Sequence, residues 1–173
     1  MKRIGLLSDT HNFLDENIFR HFETCDEIWH AGDFGDPGIA VRLNAFKPLR
    51  GVYGNIDSYG IRSHYPEKLQ WKTEEVNVFM IHIGGYPPRY NPAVKKELAS
   101  SRPQLFICGH SHILKIMYDP ALECLHMNPG AAGNHGWHKV RTLIRFTIDG
   151  KDMKDCEVIE LGARAAGATS GRE

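Results

Sequence analysis

The sequence has no CxxC pair. Its four cysteines, Cys25, Cys108, Cys124 and Cys156, stand far apart. That argues against thiolate zinc sites and for free thiols in a reducing compartment over disulfides. It has no long apolar run either. Behind Lys2 and Arg3 the first such run covers only 4–7, too short for a signal peptide or a membrane span, so a cytoplasmic location is expected. Charge is not in excess: Lys+Arg and Asp+Glu stand at 21 each, so no overall field draws the chain to nucleic acid or to an anionic membrane. There is no internal repeat. The rest is ordinary for a globular protein, at a length of 173 residues that fits one domain with its own core. The one excess is histidine, ten residues, several of them beside glycine or aspartate.

Two of these histidines anchor the reading, in Cys108-Gly109-His110-Ser111-His112. Segment 105–108 is a short apolar run bounded by turn residues and reads as a buried strand. His110 and His112 therefore fall just past a strand end. In extended backbone residues i and i+2 point the same way, so both imidazoles are expected to face one spot as a metal-ligand pair. Two idle loop histidines are the plain alternative.

Earlier in the chain, 4–7, 27–30 and 49–53 read as strands, and 15–24 and 37–46 as helices. This βαβαβ order argues for a layered α/β domain whose strands open into polar loops. Then the pattern changes. Segments 69–72 and 76–82 read as a hairpin and 92–101 as a helix. Segments 113–118, 122–127, 139–147 and 155–161 read as four more strands between Pro and Gly turns. One domain is expected over 1–161, with a frayed tail over 162–173.

Polar residues recur at the strand ends: Asp9 and His11, Asp33, Asn55 with Asp57, His82, and His110 with His112. Open α/β sheets gather ligands outside the carboxyl ends of their strands. Without Asp57 the set offers two carboxylates, one amide oxygen and four imidazoles. That exceeds one tetrahedral zinc and suits two divalent ions sharing a carboxylate. Mixed oxygen and nitrogen donors favour Mn²⁺, ranked first, and Zn²⁺, Fe²⁺, Ni²⁺ or Co²⁺ over Mg²⁺ or Ca²⁺.

DxH, GD, GNxD, an isolated His after a strand, and GHSH, in this order over roughly 1–160, resemble the calcineurin-like metallophosphoesterase superfamily. The short length and the GNxD form resemble its YfcE-like small phosphodiesterase branch, near which the retromer subunit of the same fold belongs. The resemblance implies a four-layer αββα sandwich of two mixed β-sheets flanked by helices. It implies that Asp9, His11 and His112 hold one metal, Asn55, His82 and His110 the other, and that Asp33 bridges them. Asp33, Asn55, His82 and His110 would then act in catalysis through the metals and a bridging hydroxide. The expected activity is hydrolysis of a small phosphate ester, most of all a diester. A catalytically weak scaffold or interaction module, as the retromer relative suggests, is the alternative. No membrane or nucleic-acid partner is indicated, and a homo-oligomer stays open.

Two departures stand out. Many superfamily members carry a histidine after the Gly-Asn, where it helps protonate the leaving group; here the residue is Ile56, which transfers no proton. The second histidine of a His-Gly-His is missing after His82, so altered substrate contacts are expected. Among the remaining residues, Asp57 orients a ligand loop or forms an ordinary Asx turn. Asn12 contacts phosphate or forms a turn. The Asn128-Pro129-Gly130 segment exposes N–H groups to phosphate or is a plain turn. His135 and His138 read as exposed loop residues, with stand-in proton donors the alternative, His30 as core or as a support behind the ligands, and Trp29, Trp71 and Trp137 as packing residues. Segment 86–90 is a Pro-rich loop, at a pocket wall or on the surface.

Overall fold

The computed structural model describes residues 1–164. Three parallel strands, β1 (Lys2–Leu7), β2 (Glu27–His30) and β3 (Leu49–Gly51), alternate with α1 (Asn17–His21) and α2 (Pro37–Phe46). Asp36 starts α2 by accepting a hydrogen bond from Gly38 N, with Pro37 in the first turn. A short helix, α3 (Tyr59–Arg62), then leads to the second sheet. Its elements in chain order are β4 (Lys68–Thr73), β5 (Val76–Ile81), the small hairpin β6 (Gly85–Tyr86) and β7 (Arg89–Tyr90), α4 (Pro92–Ser101), β8 (Leu105–Ile107), β9 (Leu114–Asp119) and β10 (Cys124–Pro129). Finally β11 (Val140–Asp149) returns antiparallel to β1, and β12 (Asp152–Ala163) pairs antiparallel with β11. The two large sheets run β12-β11-β1-β2-β3 and β4-β5-β8-β10-β9.

Strand alternation decides which side chains meet. Ile4, Leu6 and Trp29 of the first sheet face Val78, Met80, Leu105 and Ile107 of the second. Trp29 spans this interface with Trp71 set edge-on at 4.8 Å, and its Nε1 donates to Glu27 at 3.0 Å. On the outer face of the first sheet Leu7 and Ile28 pack with Ile18, Phe22 and Leu43. On the outer face of the second, Phe79 and Phe106 pack with Val94 and Leu98 of α4. The result is the four-layer αββα sandwich that the resemblance implied.

Several local expectations need correction. The helix expected over 15–24 is only Asn17–His21, because the chain turns from Phe22 toward β2. The Pro-rich loop is the β6–β7 hairpin. The frayed tail does not begin at 162. β12 runs to Ala163, and Arg164 donates from its backbone to Lys139 O and from Nε to His138 O, both at 2.9 Å; the rest of the expected tail lies outside the described residues. The cysteines are all free, with Cys156 exposed and the others buried. Among the described residues no helix is long and apolar enough to cross a membrane.

One ion pair links the loop after β1 to the far edge of its sheet. Arg141 donates to Asp15 at 2.7 Å, and to the backbone carbonyls of Leu161 and Ala163 on β12. Each side chain of the pair is 10% exposed. Burial tends to raise the Asp15 carboxyl, but the hydrogen bond and charge of Arg141 and the Asn17 N–H lower it on balance. A depressed carboxylate stabilises the fold above its unfolded pKa of about 4, and that stability drains as pH falls through the lower folded value. Arg141→Met strands Asp15, at a cost of about 2 kcal/mol near neutral pH, below the figure for a fully buried pair. In thermal melts, the gap in Tm between wild type and variant should be wide at pH 7 and narrow at pH 3. A gap that does not depend on pH would mean that Arg141 acts only by packing.

Candidate metal centre

The carboxyl ends of β1, β2, β3, β5 and β8 feed loops that meet at one edge of the sandwich. The loop after β1 and the loop after β2 are zipped by backbone hydrogen bonds, Asp9 N to Gly32 O, His11 N to Asp33 O and Asn12 N to Phe34 O, at 3.0–3.1 Å. Asp57 ties in the third loop, accepting from Gly35 N at 2.9 Å and Gly54 N at 2.8 Å. It therefore braces two loops and does more than close its own turn. His30 stays in the core. Its Nδ1 accepts from Gly32 N, so its Nε2–H donates to Thr10 Oγ1 at 3.1 Å, and Thr10 donates on to Phe34 O. Burial pushes His30 down to about 3, which keeps it neutral.

All seven expected residues come together. Nitrogen and oxygen atoms of Asp9, His11 and His112 lie within 4.8 Å of one another, and so do those of Asp33, His82 and His110. Asn55 Oδ1 joins the second group, 3.0 Å from His110 Nδ1. Each group draws on both sheets. One oxygen stands between the groups: Asp33 Oδ2 is 3.3 Å from His11 Nε2 and 3.1 Å from His82 Nε2. The other oxygen of Asp33 accepts from Ile56 N, and Asp9 Oδ2 accepts from Ser8 Oγ and His110 N. Both carboxylates are thus aimed, each with one oxygen toward the imidazoles.

The expected shared spot for His110 and His112 is a correction. Neither is extended: their φ values are 70° and 60°, and they enter different groups. Asp9, His11, Asn12 and Asp33 also have positive φ. Left-handed backbone costs a non-glycine residue about 1–2 kcal/mol, and such strain collects at functional sites. Two glycines let the loops close this far. A Cβ at Gly54 would stand 2.0 Å from Asp33 Oδ1, and one at Gly109 would stand 2.2 Å from Ser8 Oγ.

The charges show what the cluster accepts. Burial raises Asp9 and Asp33, but the surrounding histidines hold both carboxyls well below the usual range. Burial lowers His11, but the adjacent carboxylates of Asp33 and Asp9 overcome this and raise it to about 9; His82 is raised on balance in the same way. His110 is lowered by burial and by the charge of His82. The His82 Nδ1–H donates to Ala31 O at 2.7 Å, so in the neutral ring Nε2 aims a lone pair at Asp33 Oδ2. Asp9 Oδ1, His11 Nε2 and His82 Nε2 are buried without a hydrogen-bond partner. Two buried carboxylates ringed by imidazoles call for positive charge between them, met by protons on the rings or by cations that displace those protons. Mixed imidazole and carboxylate donors suit a divalent transition metal.

Around this cluster the loop from Gly133 to His138 carries residues that the sequence reading undervalued. His135 stacks on His11 at 4.9 Å, and His138 lies 5.3 Å from His112 with its Nε2 on Gly133 O at 2.8 Å. Trp137, expected to pack, is 98% exposed at the rim. The glycines at 133 and 136 were the available signal, since each packs against a loop of the cluster. Asn128 both closes its turn onto Gly130 N and braces the histidine loop through Gly109 O and Ser111 Oγ. Asn12 is exposed in the turn of the loop after β1, its N–H on Phe34 O.

Residues 1–151 match the calcineurin-like phosphoesterase superfamily domain. A probable metallophosphoesterase of Methanothermobacter thermautotrophicus is 29% identical in an alignment 168 residues long that covers 92% of this chain and 93% of that protein. Among solved structures, an archaeal phosphodiesterase superposes with a TM-score of 0.73 at 18% identity, over 92% of this chain and 99% of the other. Vps29 of Entamoeba histolytica complexed with Zn²⁺ superposes with a TM-score of 0.72 at 14% identity, over 91% and 98%. At those identities the two structures speak for the fold.

Proposed function

Because this chain belongs to the calcineurin-like phosphoesterase superfamily, we propose that it is a binuclear metal-dependent phosphodiesterase. The observation that carries the reading is the pair of three-residue groups meeting at Asp33 Oδ2, with buried atoms of both carrying no hydrogen-bond partner. Asp9, His11 and His112 would hold one ion and Asn55, His82 and His110 the other, with Asp33 shared. Two bound divalent ions supply a water acidic enough to attack at neutral pH and charge to stabilise the phosphoryl oxygens.

The chain's own residues do the positioning. Ala31 O fixes the His82 ring, Ser8 and His110 N fix Asp9, and Ile56 N fixes Asp33. Ile56, 44% exposed on the cleft wall, gives the departing oxygen no proton. That absence favours substrates whose alcohol leaves easily. It also favours one competing reading, an interaction module of the same fold. Turnover separates the two.

Protein purified without chelator and loaded with Mn²⁺ should hold two ions per chain. It should cleave bis-nitrophenyl phosphate faster than nitrophenyl phosphate. One ion per chain would remove the binuclear reading. Two ions without turnover on any mono- or diester would favour the interaction module.

A further inference from the structure

Beside the centre, on the outer face of the second sheet, lies another cavity of about 240 Å³. It shares His110, Ser111 and Ile113 with the cavity over the carboxylates, so the two adjoin on either side of the histidine loop. Strand register builds it. β10 and β9 pair Asn128 with Lys115 and His126 with Met117, which places His126, Asn128 and Lys115 on one face of the sheet. His126 is 1% exposed and its Nδ1 has no partner, while its Nε2 lies 4.0 Å from Cys108 Sγ.

The Tyr86 ring lies on the cavity, with the Lys115 ammonium 3.6 Å from its centroid. That wall is fixed, because Tyr90 at the other end of the hairpin donates to Asp119 at 2.6 Å. Among the described residues Lys2, Lys68 and Lys154 make ion pairs. Lys115 makes none, although it is half-buried, and a cation over an aromatic face keeps its capacity for an anion. No lysine or arginine lines the cavity over the carboxylates; of the lysines in the two cavities that flank it, Lys68 is paired with Glu97, so Lys115 is the cation left for a group reaching across the histidine loop.

Resting on the phosphodiesterase reading, we propose that this second cavity binds one organic arm of the substrate, a flat ring bearing an anionic group that pairs with Lys115. A whole drug-sized ligand needs about 300–1,000 Å³, so this space takes a single substituted ring. Ile83 and Ile113, 41% and 61% exposed, flank its opening and supply apolar contact. Neutral His126, which burial holds at about 4, leaves the floor uncharged.

Three phosphodiesters test this. All release nitrophenolate, and the second alcohol is methanol, benzyl alcohol or 4-carboxybenzyl alcohol. In the Mn²⁺-loaded protein kcat/KM should rise about tenfold from methyl to benzyl, and about tenfold again to carboxybenzyl. Lys115→Ala should cancel the second step and keep the first, and Tyr86→Ala should shrink the first. Equal rates on the three esters in wild type, or an unchanged carboxyl step in Lys115→Ala, would overturn the proposal. A second measurement does not need turnover: the 4-carboxybenzyl ester of methylphosphonic acid should shift the His126 ring resonances, and its methyl ester should not. If no ester is cleaved while His126 still responds, the phosphodiesterase reading fails and the binding site stands. If the esters are cleaved alike and His126 is silent, the binding site fails and that reading stands.

Discussion

Asp33→Ala is expected to abolish turnover, by more than about a thousandfold, in a protein that still folds. Asp33 Oδ2 is the atom that faces both His11 and His82, so its removal damages both halves of the centre at once. Metal charge stabilisation contributes several kcal/mol, at about 1.36 kcal/mol per tenfold in rate. His112→Ala should behave differently. His112 touches Asp9 at 3.2 Å and belongs to one group only. Its loss should weaken one ion, so turnover falls most at limiting Mn²⁺ and recovers in part at saturation. Measuring kcat/KM across a Mn²⁺ titration for wild type and both variants, with circular dichroism to check folding, separates these outcomes. Three superimposable titration curves would dismiss the centre.

Ile56→His should raise the rate on a dialkyl phosphate more than on bis-nitrophenyl phosphate. Nitrophenolate leaves readily without a proton, whereas an alkoxide needs one, and a positioned general acid contributes about a hundredfold to ten-thousandfold. The expected gain on the dialkyl ester is nearer the lower figure. Asp57, next in the chain, is held in place by Gly35 N and Gly54 N, and each of its oxygens keeps a further lone pair that can accept from the new imidazole. The cleft wall at position 56 has room for the ring, since Ile56 is 44% exposed there. Equal gains on both esters would mean that another group already delivers the proton, with His135, stacked on His11, the nearest candidate. A wild-type protein that cleaves dialkyl and nitrophenyl esters equally well would refute the missing-acid argument.

Much of the fold was legible because its signals are local. The runs 27–30, 37–46 and 92–101 carry their own bounds in Pro, Asn and Asp turns, and β2, α2 and α4 fall on those bounds. The convergence of the seven candidate ligands was legible for a different reason: each follows an apolar run, and parallel strands carry such loops to one edge. What was hidden depends on contacts between distant segments. α3 is four residues long, too short for a periodic signal. The β6–β7 hairpin is held by Tyr90 on Asp119, twenty-nine positions away. The left-handed turns at His110 and His112 are set by neighbouring loops, so spacing alone misdirected the two rings. At Trp137 the neighbouring Gly136 marks a loop, but a loop tryptophan can pack inward or stand at a rim, and only the fold decides which.

Each half of the centre takes ligand candidates from both sheets: Asp9, His11, Asp33 and Asn55 follow strands of the first, and His82, His110 and His112 follow strands of the second. A cation bound between them would act as a rivet through the sandwich, holding at its edge two layers joined mainly by apolar packing and a few hydrogen bonds. Occupancy and fold stability then become one linked equilibrium. A ligand that binds only the folded state at a hundred times its Kd adds about 2.7 kcal/mol, a sizeable share of the 5–15 kcal/mol that holds a typical domain together. Metal supply would therefore set how strongly this protein resists unfolding as well as how fast it works.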